Sequence, residues 1–338
     1  MKKTLFLLLF TIGNLQAQIV RITAGTDLQA AIDNATAGTT FLVEGGNYNS
    51  LTISKRIGLI GTGYLLGANG TNTQASPNVA TIQNLSFNPG SQNSIISGFQ
   101  LSSIMVSTHN IIIQRNLVGG ILSQNADNTL IKQNFIENYL SFSNSTGFIV
   151  KNNIIGDNIT FSSSSVPLMA GQIINNTLNA RYVKCADSTT TTGNFFNFLT
   201  NINIIKNNIF IGKVFVGNNC STPQILSVQN FYSFDNNVAG GVTFANISNK
   251  VTTNFANMFV GYPNNPNGLP KDARFQLPTN SPAKGAGENL SDAGAFGGDE
   301  PYVLSGIPIG PVVYDLQVPT STAVGQTIQV QIKAKVQN

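Results

Sequence analysis

The chain has 338 residues, of which 41% are hydrophobic and 9% charged, and it contains 32 Gly, 44 Asn and no Trp. Coiled coils, charged disordered tails and ordinary helical enzymes use far more Glu, Lys, Arg, Ala and Leu, so the composition excludes them. The net charge is +4, and 16 basic against 14 acidic residues would remain if Lys2 and Lys3 were removed with a leader. We expect no nucleic-acid partner, because phosphate backbones need dense Lys and Arg clusters.

The first 17 residues have the pattern of a secretory signal peptide. Lys2 and Lys3 give a positive start, residues 5–12 give the apolar stretch, and Ala17 is the small residue at the predicted cleavage site. A membrane-spanning helix would need about 20 apolar residues, and neither this run nor any later one reaches that length. We therefore expect an exported protein, secreted or at the cell surface, without a transmembrane segment.

One helix is predicted near the start of the mature chain. Residues 26–33 place Leu28, Ala31 and Ile32 on one face at helical spacing, with Thr26 or Asp27 as the N-cap. From Thr39 onward the apolar period changes to two, and short β-branched runs alternate with Gly and Asn. The rest of the chain is therefore predicted to be mostly β-strand.

A repeat runs from about residue 95 to residue 244. Each copy has an apolar residue, a variable residue and a pair of polar residues that usually ends in Asn, and a second apolar run follows four to eight residues later. The final Asn of the first three copies is spaced by 18 and 19 residues. The copies are Ile113–Asn116, Ile131–Asn134, Val150–Asn153, Ile173–Asn176, Ile205–Asn208 and Phe234–Asn237.

A period near 18 with short strands predicts a solenoid, in which stacked coils share one core. Asn tolerates the left-handed backbone of a corner between strands, and an Asn that recurs at the corner can hydrogen-bond the coils above and below. A β-sandwich with Asn-rich turns is the alternative, but it gives no reason for the register to recur. The solenoid predicts one inward stack of Ile113, Ile131, Val150, Ile173 and Ile205.

The pattern resembles the right-handed parallel β-helix of the pectin lyase-like superfamily over nearly the whole mature chain. Residues 28–33, 38–43 and 46–48 are similar to the cap helix and first coil of secreted members. Residues 281–287 and 292–297 are similar to the closing coil of exported bacterial members. The resemblance implies the fold and leaves the chemistry open, because lyases, hydrolases, adhesins and inert rods share this scaffold.

The predicted fold is all-β: a single-stranded right-handed parallel β-helix with a short N-terminal cap helix and a C-terminal two-strand extension. The expected domains are the signal peptide at 1–17, the β-helix at 18–300 with roughly ten coils from residue 39, and a linker with the extension at 301–338. The two extension strands, 312–318 and 327–336, are expected to pack on the last coils because an isolated pair is marginal in water. A monomer is expected.

A column of side chains is predicted to point outward from one sheet, one residue after each inward stack position. Lys132, Lys151 and Lys206 make up half of it, and such a row of ammonium groups could bind an acidic polysaccharide. The alternative is that these lysines are a solvated face that keeps the stacked strands soluble. The full column is Gln114, Lys132, Lys151, Ile174, Lys206 and Asp235.

No catalytic residue, metal site or cofactor is assigned. A lyase of this superfamily, as the resemblance implies, needs a Lys or Arg base, and Ca²⁺ or a basic group to neutralise a uronate. Arg115 and Arg181 are candidates in principle, but Arg115 holds a corner position and is interpreted as structural. His109, the only histidine, is placed in a solvated loop.

The carboxylates also favour a non-catalytic protein. A hydrolase needs two or three close Asp residues, and the sequence has no Asp-Asp pair. The favoured function is a glycan-binding or cell-surface structural protein with an extracellular polysaccharide as the partner. The alternative is a polysaccharide lyase that acts on a uronate-containing polymer, and Ca²⁺ is expected only in that case. The carboxylates within the repeats are widely spaced: Asp127, Glu137, Asp157, Asp187 and Asp235.

The two cysteines follow the second apolar run of their copies. Cys185 lies two residues after Val183, and Cys220 lies four after Val216. Loops that leave equivalent places on adjacent coils would bring the cysteines within disulfide range in an exported protein. An additional coil around Asn194 would separate them, so the disulfide depends on the register.

Overall fold

The computed structural model of the protein describes residues 18–69, 74–156, 159–162, 171–179, 182–184, 204–211, 213–215, 231–233, 250–252, 257–319, 325 and 327–337. Over these residues the chain is a right-handed parallel β-solenoid of about 8 turns, followed by an antiparallel pair of strands. The predicted ten coils are too many for the described part of the chain, because the residues from 257 to 309 form no strand. The predicted signal peptide lies outside the described residues.

Short strands and one α-helix follow one another closely along the chain. The first elements are β1 Ile19–Ile22, α1 Leu28–Asn34, β2 Thr40–Val43, β3 Gly46–Tyr48, β4 Leu51–Ile53, β5 Gly58–Ile60, β6 Ala80–Phe87, β7 Ile95–Ser97, β8 Gln100–Val106, β9 Ile112–Gln114, β10 Leu117–Gln124, β11 Leu130–Lys132 and β12 Phe135–Ser143. The next are β13 Phe148–Lys151, β14 Ile154–Ile155, β15 Ile159–Ser162, β16 Gly171–Ile174, β17 Thr177–Leu178, β18 Tyr182–Lys184, β19 Ile204–Lys206, β20 Ile209–Ile211, β21 Lys213–Phe215, β22 Phe231–Ser233 and β23 Lys250–Thr252. Short 3₁₀ helices at Ala273–Phe275, Glu288–Leu290 and Leu304–Gly306 precede β24 Gly310–Gln317 and β25 Gln331–Gln337.

Two long parallel sheets form the walls of the solenoid. The nine-stranded sheet has the order β1-β2-β5-β7-β9-β11-β13-β16-β19. The twelve-stranded sheet has the order β23-β22-β20-β17-β14-β12-β10-β8-β6-β3, with β15 beside β12 and β4 beside β6. Because side chains alternate along a strand, each coil sends half of its residues into the shared interior and half outward.

The interior contains the predicted apolar stack. Ile113, Ile131, Val150 and Ile173 are fully or almost fully buried, and their strands pair in register. Ile205 pairs with Ile173 along the backbone, while its side chain lies outside the described residues. The alignment of the repeats is therefore confirmed for the first four positions.

Helix α1 covers the first coil as predicted. The Asp27 carboxylate accepts a hydrogen bond from the Ala30 N–H at 3.1 Å, which makes Asp27 the N-cap. Leu28 and Ile32, on the same face of the helix, are buried in the core. The apolar face of the helix thus packs on the first described coil at that end of the core.

Two neighbouring residues form the corner after each of β9, β11, β13, β16 and β19. A single Asn was expected to supply both the left-handed backbone and the hydrogen bonds between coils. The first residue has the left-handed backbone, with φ of 54–57°, and the next forms the hydrogen-bonded ladder. We name the first set the corner column and the second the asparagine ladder. The corner column is Arg115, Gln133, Asn152, Asn175 and Asn207, and the ladder is Asn116, Asn134, Asn153, Asn176 and Asn208.

The register between residues 176 and 208 contains no additional coil. Strand β16 pairs directly with β19, and β17 pairs directly with β20. Asn176 donates to the side chain of Asn208 at 3.0 Å, so the ladder also passes directly from one to the other. Asn194 lies outside the described residues, and the coils that precede and follow it are adjacent in the stack.

The C-terminal part differs from the expectation of a closing coil. Residues 257–307, which we name the C-terminal strap, contain turns and 3₁₀ helices and run back along the outside of the solenoid. The two extension strands, β24 and β25, form the expected antiparallel pair. They contact an early loop rather than the last coils: the Ala75 N–H donates to the Val313 carbonyl at 2.8 Å.

Candidate functional site

The predicted column beside the corner is present. Gln114, Lys132, Lys151, Ile174 and Lys206 are paired one above another through five adjacent strands. Asp235 lies outside the described residues. The lysines are not a freely solvated face, because their side chains are only 14% exposed for Lys132, 29% for Lys151 and 27% for Lys206.

Each of the three lysines forms an ion pair with the C-terminal strap. Glu300 accepts from the Lys132 ammonium at 2.7 Å and, through its other oxygen, from Lys151. Glu288 accepts from Lys206 at 2.6 Å. Two acidic residues of the C-terminal strap therefore pair with the ammonium groups that were predicted to bind a glycan.

Burial also affects the protonation of two of these lysines. Desolvation lowers the pKa of Lys132, and the nearby positive charge of Arg115 lowers it further. Desolvation likewise lowers the pKa of Lys151; Lys132 adds to the effect, and Asp299 opposes it. The column is thus a crowded set of cations that the strap carboxylates neutralise.

The strap also satisfies the polar side chains of the corner column. Arg115 donates to the side chain of Gln133 at 2.9 Å and to the Ile307 carbonyl at 3.0 Å. Gln133 donates to the Pro301 carbonyl at 2.7 Å, and Asn152 donates to the Gly297 carbonyl at the same distance. Arg115 holds the corner position predicted for it, and the strap follows the corner column from the later coils to the earlier ones.

An apolar cluster lies between the strap and the outer wall of the solenoid. The wall contributes the first residue after four of the five ladder Asn, and the strap contributes mainly aromatic residues and alanines. Burial on both sides explains why two apolar residues follow several of the ladder positions, where strict alternation would allow one. The cluster includes Leu117, Phe135, Ile154 and Ile209 from the wall and Met258, Phe259, Phe275, Ala283, Ala295 and Tyr302 from the strap.

A buried polar cluster centred on Asp272 lies where the strap meets the early coils. Its carboxylate accepts from the Asn69 side chain and the Ser305 N–H, both at 2.8 Å, and from the Ala273 N–H at 2.9 Å. Beside it the hydroxyls of Tyr64 and Tyr302 hydrogen-bond each other. Desolvation raises the pKa of Asp272, although its hydrogen bonds oppose the shift. This cluster fixes the strap to the loop after β5.

A second candidate surface lies on the outward side of the twelve-stranded sheet. The Tyr139 ring lies over Gly120 of the preceding coil, in the space that a side chain would fill, and Tyr139 is 45% exposed. Ser103 is in register with Gly120 and donates to the Asn84 side chain at 2.8 Å. The adjacent outward row contains Met105, which is also exposed. We name Asn84, Ser103, Met105, Gly120 and Tyr139 the outer strip.

His109 has an acidic neighbour that sequence spacing did not reveal. Its Nδ1 accepts from the Asp127 N–H at 3.0 Å and lies 3.4 Å from the Asp127 carboxylate. The other Asp127 oxygen accepts from the Thr146 N–H at 2.9 Å, one coil further on. The His109 side chain is 48% exposed and that of Asp127 38%, and His109 lies between strands, in agreement with its predicted loop position.

The remaining predictions fall partly outside the described residues. Cys185, Cys220 and Arg181 are not described. Among the residues that are, no group of three or more His, Cys, Asp and Glu side chains could hold a metal ion. Within the same part of the chain, no helix has the length and apolar character needed to cross a membrane.

The fold and the two outer surfaces define the class: a right-handed parallel β-solenoid with a strap along one side. Comparison with known proteins assigns no narrower group, since no protein-family profile, curated protein or solved structure matches the chain.

Proposed function

We propose that the protein is an exported, non-catalytic β-solenoid that binds an extracellular glycan along the outer strip. The observation that carries the proposal is the exposed Tyr139 ring seated on Gly120, beside the hydrogen-bonded Ser103 and Asn84 side chains. An aromatic face packs against the apolar face of a sugar ring, and adjacent hydroxyl and amide groups bond its hydroxyls. Adjacent coils repeat at ~4.8 Å along an axis that an extended polymer can follow.

The lysine column is a less suitable surface for glycan binding than the outer strip. Lys132, Lys151 and Lys206 already pair with Glu300 and Glu288, so an acidic polysaccharide would have to displace two carboxylates to reach them. Displacement would also uncover the apolar cluster beneath the strap. Binding by the three lysines remains a prediction, and we place the main contact elsewhere.

The polysaccharide lyase remains the alternative, without an observation that favours it. A lyase base must reach the substrate carbon, and Arg115 is buried and bonded to the strap. The ammonium groups of the column are engaged in the same segment. Export is supported by the signal-peptide pattern of residues 1–17.

Affinity electrophoresis in gels that contain neutral or uronate polysaccharides tests the proposal. At least one polymer should retard the wild type, Tyr139→Ala should lose the retardation, and Tyr139→Phe should keep most of it because the ring remains. The Lys132→Ala/Lys151→Ala/Lys206→Ala variant should retain binding if it folds. Equal retardation of Tyr139→Ala and wild type would place binding elsewhere, and no retardation in any polymer would leave a purely structural surface role.

The same polymers distinguish the lyase. Incubation with and without Ca²⁺ should produce no absorbance from unsaturated sugar ends, because only β-elimination creates that double bond. A rising absorbance that the wild type produces would replace the binding proposal with the alternative.

A further inference from the structure

The two-stranded extension presents one face without any charge. Strand pairing places Val313 with Ala334 and Leu316 with Ile332 on the same face, since residues opposite each other in antiparallel strands point the same way. Pro311 and Val336 lie on this face as well. By alternation Val318 and Val330 continue it, beside an open groove of about 730 Å³. We name these residues the apolar face: Pro311, Val313, Leu316, Val318, Val330, Ile332, Ala334 and Val336.

The opposite face has the polar groups and the attachment to the rest of the molecule. Asp315 and Lys333 form an ion pair there at 2.7 Å, and the Lys335 ammonium lies 5.7 Å from the centre of the Tyr314 ring. Val312 is buried in a small cluster with Leu66 and Ile307. The extension is therefore amphipathic, and the side that packs on the described molecule is the other one.

The side chains of the apolar face are highly exposed for a pair of strands in water. Val336 is 71% exposed, Ile332 59% and Leu316 50%. An isolated hairpin is marginal in water, and clustered apolar surface of this kind marks an interaction site. Within the part of the chain that the structure describes, no residue covers this face.

We propose that the apolar face packs on the same face of a second copy of this chain, as a two-layer sandwich of four strands. A face without charges offers nothing to a charged partner, but it complements itself under two-fold symmetry. Burial of eight half-exposed side chains removes roughly 700 Å² from each copy, close to the ~800 Å² per partner of a standard interface. The dimer replaces the monomer that the sequence suggested, and it does not depend on the proposed glycan binding.

The orientation of the extension supports face packing over strand addition. The Ala75 N–H bonds the Val313 carbonyl, so the outer edge of β24 is partly occupied by the solenoid's own loop. Face packing also leaves the Asp315–Lys333 pair in water, where it costs no desolvation. Each solenoid would then project from a central four-stranded dimer.

Sedimentation velocity of the full chain from about 1 to about 100 µM tests the dimer. The wild type should sediment as a dimer at the upper concentrations. Leu316→Glu/Ile332→Glu places two like charges on the apolar face and should raise the dissociation constant at least ~100-fold. The matched control, Gln317→Glu/Gln331→Glu, puts the same charges on a neighbouring pair of the opposite face and should sediment as wild type. A monomeric wild type, or equal dissociation of the control, would overturn the proposal.

Disulfide trapping gives a second measurement that does not require a disruptive variant. Under mild oxidation Leu316→Cys should form a covalent dimer, because the two faces meet, whereas Gln317→Cys should not. Circular dichroism of each variant verifies that the solenoid is folded. Equal trapping of both cysteine variants would indicate random collision and contradict the interface.

Discussion

The ladder residue Asn134 shows how one side chain stabilises three coils. Its amide oxygen accepts from the backbone and the side chain of Asn116, at 2.9 and 3.1 Å. Its amide nitrogen donates to the Ile113 and Lys132 carbonyls and to Asn153. The site is fully buried, so a lost partner cannot be replaced by water.

Asn134→Ala should therefore lower the free energy of unfolding by at least about 2 kcal/mol, since several buried groups lose their partners. Chemical denaturation followed by circular dichroism measures the loss. Asn138→Ala is the control, because Asn138 is an exposed strand residue of the same coil, and it should change stability by less than about 0.5 kcal/mol. Similar losses in both variants would show that the ladder is not specially stabilising.

Asp272 gives a prediction about pH. Its folded-state pKa is raised above the ordinary value of 3.8, so the folded state keeps the proton to a higher pH than the unfolded state. The stabilisation from this group is full below the unfolded value and is lost as pH rises through the folded one.

The difference in unfolding free energy between wild type and Asp272→Asn should therefore shrink as pH rises from about 3.5 through the folded pKa. Urea unfolding at a series of pH values measures it. The absolute stability of Asp272→Asn should be lower, because an amide cannot accept all three hydrogen bonds. A difference that grows with pH would mean that the folded pKa is lowered.

At the scale of elements, the strap depends on charge as well as on apolar contact. Glu300 neutralises Lys132 and Lys151 together, and both lysines are partly buried. Removal of the carboxylate leaves two neighbouring cations without a partner. Solvent screening reduces the contribution of these ion pairs to stability, because the Glu300 side chain is 40% exposed.

Glu300→Gln should cost about 1 kcal/mol in stability and should raise hydrogen exchange in the strap more than in the ladder strands. Exchange mass spectrometry over residues 292–307 measures the effect. Glu44→Gln, which removes the exposed pair with Arg21, is the matched control and should leave the strap unchanged. Uniform exchange in Glu300→Gln and wild type would show that the strap is held by apolar contacts alone.

The elements of the solenoid could be predicted because each is local. Leu28, Ala31 and Ile32 at helical spacing indicated α1, and the spacing of 18 and 19 residues between Asn116, Asn134 and Asn153 indicated the register. The strap could not be predicted this way, since Glu300 meets Lys132 across 168 residues without a repeating pattern. One signal was present: pairs such as Leu117-Val118 and Phe135-Ile136 break the alternation, and the outward residue of each pair needs a cover.

The candidate site was predicted only in part. The outward lysine column is present, but the sequence could not show which residues would occupy it. The outer strip was missed because Tyr139 and Gly120 are adjacent only through the pairing of β10 and β12, which contains an irregularity at that point. The contact between His109 and Asp127 was missed for the same reason, because the two residues lie on adjacent coils.

At the scale of the whole molecule, the direct pairing of adjacent coils bears on the two cysteines. Strand β18 pairs with β21, so Lys184 lies beside Phe215. Cys185 follows Lys184 at once, and Cys220 follows Phe215 by five residues. Because β18 and β21 are adjacent, no additional coil separates them, and the ~10 Å that such a coil would have added is absent.

The predicted Cys185–Cys220 disulfide should therefore appear as a loss of two hydrogens in the mass of the unreduced, exported protein, and Cys220→Ser should remove that loss. Peptide mapping without reduction identifies the linked pair. Alkylation of both thiols in the oxidised native protein would contradict the prediction.

The C-terminal strap runs back along the solenoid and neutralises the lysine column. Zero-length carbodiimide cross-linking followed by peptide mass spectrometry probes it without any variant, because this reagent joins only carboxylates and amines that are in contact. We expect links from Glu300 to Lys132 or Lys151, and from Glu288 to Lys206. Links from Glu300 and Glu288 only to other lysines, with none to the column, would show that the strap does not lie there.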